Sequence, residues 1–333
     1  MKNQKITPSC FLGKELIRRQ NSQGILTIVT AGSRYIDIDA YACAVAMAEL
    51  LSLKGENAFA YSIADANYSV CPSLMENSQL LRTLPSNFHD QETSYIIVDV
   101  SDPDYIKDVV PLDRVAAVYD HHVGFESYWT ERIGDSAHIE FIGAAATLIY
   151  REWKLCGLQD SMSPSTARLL IAAILDNTLN LTSSNTTQED KDVFDALCKQ
   201  YDVGYDWCAN YFTEVQKAVE ADLKNALMGD LKIFSESTFL PQQIAQLCVW
   251  DANRVLARLP EIRSWFYGGN SWMLNIISLR EQKSYFVCDD TSYQKDISKV
   301  FDVYFENGVA ISTVAYLRKE IIKKMCYTTY NLK

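Results

Sequence analysis

A chain of 333 residues is long enough for roughly two domains of about 150 residues each. Its 48% hydrophobic and 22% charged residues, with only 13 Gly and 8 Pro, exclude a collagenous or low-complexity polymer. The net charge of −11, from 31 Lys and Arg against 42 Asp and Glu, argues against a protein held to duplex nucleic acid by phosphate contacts. In chain order, Ile25 to Thr30 (ILTIVT) reads as a buried parallel strand and 40–53 (AYACAVAMAELLSL) as a helix stopped at Gly55. Tyr95 to Val100 and Val115 to Tyr119 are two further buried strands, and 143–153 and 165–175 read as helices. A polar loop at 182–187 (TSSNTT) leads into a helix over 188–199. Beyond it come helical segments around 209–230, strands at 244–249, 272–278 and 284–287, and helices at 297–305 and 314–325.

This alternation predicts an α/β fold: a parallel-sheet domain over 1–200 with helices on both faces, a linker at 201–208, and a smaller mixed α/β domain over 209–333. The nine Cys are odd in number and form no C-x-x-C pair, so neither a disulfide framework nor a zinc knuckle is expected. Lys2 and Lys5 precede no apolar leader core, and no apolar run nears the ~20 residues of a membrane span. The expectation is a cytoplasmic protein without a membrane partner.

The chemistry lies where Asp and His fall. Strand one runs out into Asp37 and Asp39, strand two into Asp99 and Asp102, strand three into Asp120, His121 and His122, and the apolar segment 170–175 into Asp176 and Asn177. Ligands of open parallel sheets collect at the carboxyl ends of the strands. One Asp after a strand is most often a turn or cap residue. An ordered series of them would gather several negative charges, whose repulsion divalent cations relieve. A mixed Asp/His shell suits Mn²⁺ or Mg²⁺ better than thiolate-loving metals.

Asp120-His121-His122 after an apolar strand resembles the signature of the DHH phosphoesterase superfamily. Asp37-Ile38-Asp39-Ala40 looks like its first motif and Val98-Asp99 its second. Residues 139–149 (IEFIGAAATLI) resemble the helix start after DHH, and 173–180 through Thr186, Thr187 and Asp190 the fourth motif. In the second half, Gln216-Lys217-Ala218, Gly229 to Lys232 and Tyr316 to Lys319 resemble a DHHA2 domain. No G-G-G-H segment is present, which disfavours the DHHA1 branch. The domain pair is that of family II inorganic pyrophosphatases, exopolyphosphatases and prune-like proteins. The helical-looking lead at 11–19 is more like the latter two.

The resemblance implies two divalent metal ions, Mn or Mg. Asp37 and Asp99 would hold one, and Asp39, Asp99 and His121 the other, with Asp99 bridging. His122, Arg318 and Lys319 would surround the phosphate groups of a small substrate in an interdomain cleft, with Asp120 orienting a His. Three departures stand out. Ser33 replaces the His of pyrophosphatases and the Asn of exopolyphosphatases, leaving it beside the metals at best. Asn177 takes the place of the fourth-motif Asp, with Asp176 one residue early, so either could face the metal. Val219 stands near an expected Lys, with Lys217 nearby.

The implied activity is hydrolysis of phosphoanhydrides, either short polyphosphate or pyrophosphate, by a metal-activated water. The alternatives are a phosphodiesterase acting on cyclic or small nucleotides and a catalytically impaired phosphate- or nucleotide-binding homologue. A homodimer is compatible with this family resemblance.

Overall fold

The computed structural model describes residues 25–32, 36–76, 80–81, 83, 92–234, 240–266 and 271–330, the side chains of the last helix through 326. The expected helical lead at 11–19 and Ser33 lie outside the described residues. The chain divides between Gly204 and Tyr205 into two compact units.

The first unit holds a six-stranded sheet of order β3-β2-β1-β4-β5-β6, every pair parallel. Its strands are β1 (Leu26–Thr30), β2 (Asn57–Tyr61), β3 (Leu80–Leu81), β4 (Thr93–Val98), β5 (Val115–Asp120) and β6 (Ala137–Ile139). β1 and β4 are buried at every position, so both faces of the sheet are covered, as their β-branched composition requires. On one face Leu26, Ile28, Tyr95, Ile97 and Val118 pack with Ile106 and Trp129 from the short connecting helices and with Val110 from the turn after the first of them. Helix α1 (Ile38–Leu53) packs on β1 and β2 and against α2 (Ala145–Leu155) and α3 (Pro164–Asn177). Ala40, Ala42, Ala44, Ala46 and Ala48 are buried, and such small side chains let neighbouring helices approach closely. Helix α4 (Gln188–Tyr201) opens with a capping box between Thr187 and Asp190.

Strand order reverses between β1 and β4, and the chain leaves both at their carboxyl ends toward Asp37 and Asp99. This is the switch point at which doubly wound sheets present a crevice.

Trp129 is fully buried and its indole nitrogen donates to the Ser101 carbonyl at 2.6 Å, directly behind the loop that follows β4. Trp129→Ala is expected to cost about 3–5 kcal/mol of stability, through a large cavity and an unpaired carbonyl. Urea unfolding of the variant against the parent chain measures it.

The second unit holds a mixed sheet of order β11-β12-β10-β9-β8-β7. β8 (Gln243–Val249) and β9 (Trp272–Ser278) are parallel; β7 (Lys232–Ile233), β10 (Lys283–Val287), β11 (Phe305–Glu306) and β12 (Val309–Ile311) pair antiparallel to their neighbours. Its core is built from Ile244, Met273, Phe286, Ile297, Phe301 and Ile321. Helix α5 (Tyr205–Ala221) begins inside the span expected to be linker, three residues after α4 ends. Helix α6 (Thr291–Phe301) starts six residues before its expected position because Asp290 caps it, accepting from the Ser292 amide. The last helix, α7 (Arg318–Tyr330), starts four residues later than the 314–325 expected from its sequence.

Candidate metal centre

Asp37 caps α1, its carboxylate accepting from the Ala40 amide at 3.0 Å. Asp39, two residues on, is fully buried in the first turn of that helix. Both of its oxygens accept backbone N–H groups at the start of α2, from Ala145 at 2.8 Å and Ala146 at 2.9 Å. These amides are orphan donors of a helix N-terminus, where a negative charge is favoured. The Cys43 thiol, one turn along α1, also reaches Asp39 at 3.4 Å.

Asp99 follows β4 in a left-handed conformation, φ +56°. Its amide donates to the Tyr119 carbonyl at 2.7 Å, which ties it to the end of β5. There the chain turns through Asp120, His121 and His122. The His121 Nδ1 lies 3.2 Å from the Ile142 carbonyl. A carbonyl only accepts, so Nδ1 carries a proton, and in the neutral tautomer this leaves Nε2 presenting its lone pair. That Nε2 lies 3.3 Å from Asp99 Oδ1 and 3.9 Å from Asp39 Oδ2. Both His121 Nε2 and Asp99 Oδ1 are buried without a hydrogen-bond partner. Asp99, His121 and His122 each offer a ligand atom within 4.8 Å of the others.

Two acceptor atoms facing each other in a buried site are repulsive unless something positive lies between them. The charges register this. Burial first, then the neighbouring Asp39 and Asp37, drive the Asp99 carboxyl well above the usual carboxylate range. Asp39 is pushed up to about 6 by burial, against the pull of His121 and the two helix amides. Oxygen and imidazole donors of this kind fit a divalent cation such as Mn²⁺ or Mg²⁺.

His122 is more exposed. Its Nδ1 bonds Asp120 Oδ1 at 2.8 Å, and its own amide donates to the same oxygen at 3.0 Å. Desolvation lowers the His122 pKa, but the Asp120 hydrogen bond and the Asp99 charge outweigh it, so the imidazole holds its proton more firmly than usual. For Asp120, burial raises the pKa, yet the His122 hydrogen bond and charge bring it below its ordinary value. A cavity of about 310 Å³ opens here, with Asp37, Asp99 and His122 on one side and Ala31, Val100, Tyr105, Val123 and Phe125 supplying apolar wall.

Asp176 and Asn177 are the last residues of α3 and are partly buried; neither belongs to the tight carboxylate–imidazole group among the described residues. In the second unit the Arg318 guanidinium is engaged by the Asp230 carboxylate and carbonyl, and its amide donates to Gln246. Lys319 is exposed beside it, and the two line a groove with Lys232, Ile233, Phe234 and Gln246. Val219 is buried on α5 and Lys217 exposed. Arg318→Ala is expected to destabilise the second unit by about 1–2 kcal/mol, because a partly buried charge-assisted pair is lost. The later of two calorimetric transitions, or whichever Asp230→Asn also moves, reports it.

Sequence reasoning singled out Asp190 only as part of a motif. The structure shows it fully buried, accepting from Gly143, Thr147 and Thr187. The contact of the Cys43 thiol with Asp39 follows from the i, i+4 spacing on α1.

No protein-family model matches the chain. A protein of Staphylococcus carnosus named probable manganese-dependent inorganic pyrophosphatase is 26% identical over 310 residues, 87% of this chain and 95% of that one. A protein of the same name from Staphylococcus aureus strain JH9 is 25% identical over 324 residues, covering 88% and 96%. The crystal structure of a Methanococcus jannaschii protein described as a family II inorganic pyrophosphatase superposes with a TM-score of 0.58 at 20% identity, over 90% of this chain and 98% of that one. It shares the fold. Motif order, relatives similar over nearly the whole length and a shared fold support a phosphoesterase of the DHH type.

Proposed function

We propose that the protein is a divalent-metal phosphohydrolase acting on phosphoanhydride bonds, in pyrophosphate or short polyphosphate. The observation that carries this is the buried, unpartnered pair of Asp99 Oδ1 and His121 Nε2, 3.3 Å apart with their lone pairs converging. The manganese dependence named for the two staphylococcal relatives supports the same ion here. Asp37, Asp39, Asp99 and His121 would hold divalent cations, and Asn177 or Asp176 is the candidate for a further ligand. Ser33, if it contributes, does so from beside them. Bound there, the metal supplies a nucleophilic hydroxide at neutral pH and neutralises phosphate charge.

The remaining residues bind and orient. His122, held by Asp120 and proton-rich, faces the cavity as a donor toward phosphate oxygens or the departing phosphate. Arg318 and Lys319 are the second unit's candidates for gripping the anion, Lys319 as a free-swinging point charge and Arg318 after exchange with Asp230. Phosphate release from pyrophosphate, tripolyphosphate and long polyphosphate with Mn²⁺, Mg²⁺ and Co²⁺ tests this reading. Release with at least one pair, absent in Asp99→Ala, is expected; no release above that variant with any metal overturns it.

One observation favours a second reading. The apolar wall formed by Val100, Tyr105, Val123 and Phe125 beside His122 is suited to the flat face of a nucleobase. Turnover of a cyclic nucleotide without turnover of tripolyphosphate would move the assignment to a phosphodiesterase. His122→Ala separates the two in kinetics: a loss of about 10²-fold in kcat is expected for the anhydride if the imidazole donates in the reaction.

A further inference from the structure

We propose that Asp190 is a positioning residue for Asp39 and His121, setting both from a distance through the segment 142–146. The proposal rests on the metal-holding role given to those two side chains above. Asp190 lies at the start of α4, and its hydrogen bonds go to Gly143, Thr147 and Thr187, none of them among the residues grouped as metal ligands.

The segment between β6 and α2 carries three backbone groups that the centre depends on. The Ile142 carbonyl takes the Nδ1 proton of His121, and the Ala145 and Ala146 amides hold the two oxygens of Asp39. Asp190 grips this segment at two points, the peptide unit that carries the Ile142 carbonyl and the residue just after the two amides. One oxygen accepts the Gly143 amide at 2.9 Å; the other accepts the Thr147 hydroxyl at 2.6 Å. Ala144 at the cap position offers no side-chain acceptor, so besides Asp39 itself it is Asp190 that holds this helix start.

The approach is close enough to require glycine. A Cβ on Gly143 would stand 2.5 Å from the Asp190 carboxylate and 2.7 Å from the Thr178 methyl. Thr178 in turn caps α3, and the chain after it runs left-handed through Leu179, Asn180 and Leu181, with φ between +50° and +64°. Three consecutive left-handed residues that are not glycine are unfavourable on their own. They persist because Thr178 is bonded on both sides, its hydroxyl to Ile174 and its carbonyl to the amides of Thr182 and Ser183. The loop carries the chain from α3 to Thr187, whose amide and hydroxyl both donate to Asp190. The carboxylate is thus fixed from α4 and in turn fixes 142–146.

A shift of a few tenths of an ångström in that segment moves Asp39 and releases the His121 tautomer together. Partners at this remove from a metal ordinarily change its affinity by about 10–100-fold. The test measures Mn²⁺ binding by the paramagnetic resonance of the free ion, and the His121 tautomer by ¹⁵N chemical shifts of the metal-free chain at mildly alkaline pH. The variants are Asp190→Asn, Thr147→Val and Thr147→Ser. The expected result is a single Nδ1–H tautomer and tight Mn²⁺ in the parent chain and in Thr147→Ser. Thr147→Val and Asp190→Asn should bind Mn²⁺ at least about tenfold more weakly and give a mixed tautomer.

Should Asp190→Asn not fold, the two Thr147 variants decide between them, since Val keeps the side chain's shape without the hydroxyl and Ser keeps the hydroxyl without the methyl. Parent-like Mn²⁺ affinity and a single tautomer in Thr147→Val and in any folded Asp190→Asn overturn the proposal. A parent chain that binds Mn²⁺ yet hydrolyses no phosphate compound sinks the proposed function and leaves this one standing. If the parent binds no Mn²⁺, the metal role fails and the tautomer alone decides whether Asp190 positions His121.

Discussion

Asp99→Asn is expected to lower phosphate release about 10³-fold and yet to raise the melting temperature of the metal-free first unit. The two effects have one cause. Asp99 brings a negative charge into a site already holding Asp37 and Asp39, with an unpartnered oxygen against His121. A carboxyl whose folded pKa is raised costs stability at pH values above that pKa, where it must ionise inside the protein. The cost is absent below the unfolded value of 3.8, where it is protonated in both states. Asparagine keeps the shape and drops the charge. The gain should therefore be about 1–3 kcal/mol at alkaline pH, fade as pH falls, and vanish in acid. Thermal melts in chelator across pH, beside turnover assays with added metal, read both. A variant that loses activity and is also less stable without metal at every pH would mean that Asp99 is not held in a repulsive cluster.

Chelation is expected to abolish turnover and to lower only the calorimetric transition of the first unit. Restoring Mn²⁺ to about one hundred times its dissociation constant should stabilise that unit by ~2.7 kcal/mol. For a unit of this size that corresponds to roughly 5–10 °C. The same addition to Asp99→Asn should shift the transition by less than a third as much, because the affinity falls with the lost charge. Proton competition sets the pH range. Asp39, pushed up to about 6, and Asp99, held well above the usual carboxylate range, both take up protons as the solution is acidified, so Mn²⁺ affinity falls as pH drops through those values. Calorimetry with two resolved transitions checks the assignment; movement of both by equal amounts counts against a site confined to the first unit.

The parts of the fold legible in the sequence were those with a strong local pattern. β1, β4 and β5 are largely apolar runs that lead into acidic residues, at once for β4 and β5 and a short loop later for β1, and both the buried strands and the switch point follow from them. β2 (NAFAY) and the short β6 (AHI) escaped notice, one because alanine weakens the alternation and one because three residues carry no period. α6 was placed late because its stop is Asp302 at φ +53°, a left-handed position without the glycine that marks such ends.

The site was legible as an ordered list of residue types, since Asp and His clusters need no geometry to suggest a cation. Its supports were not. The Asp190–Gly143 bond spans 47 residues and the Arg318–Asp230 pair 88, and separations of that size leave no trace in local spacing. The tautomer of His121 depends on a carbonyl 21 residues away and could be known only from coordinates.

The left-handed turn at Asp99 has a consequence for what can be inherited at that position. Glycine, asparagine and aspartate enter this conformation at little cost, whereas longer or branched side chains resist it. Of those three, a single one is an anion. The backbone of the β4 exit thus narrows the alphabet before chemistry is consulted. Drift there leads in one step to a neutral, still folded chain, so loss of the activity proposed here would leave the architecture unmarked.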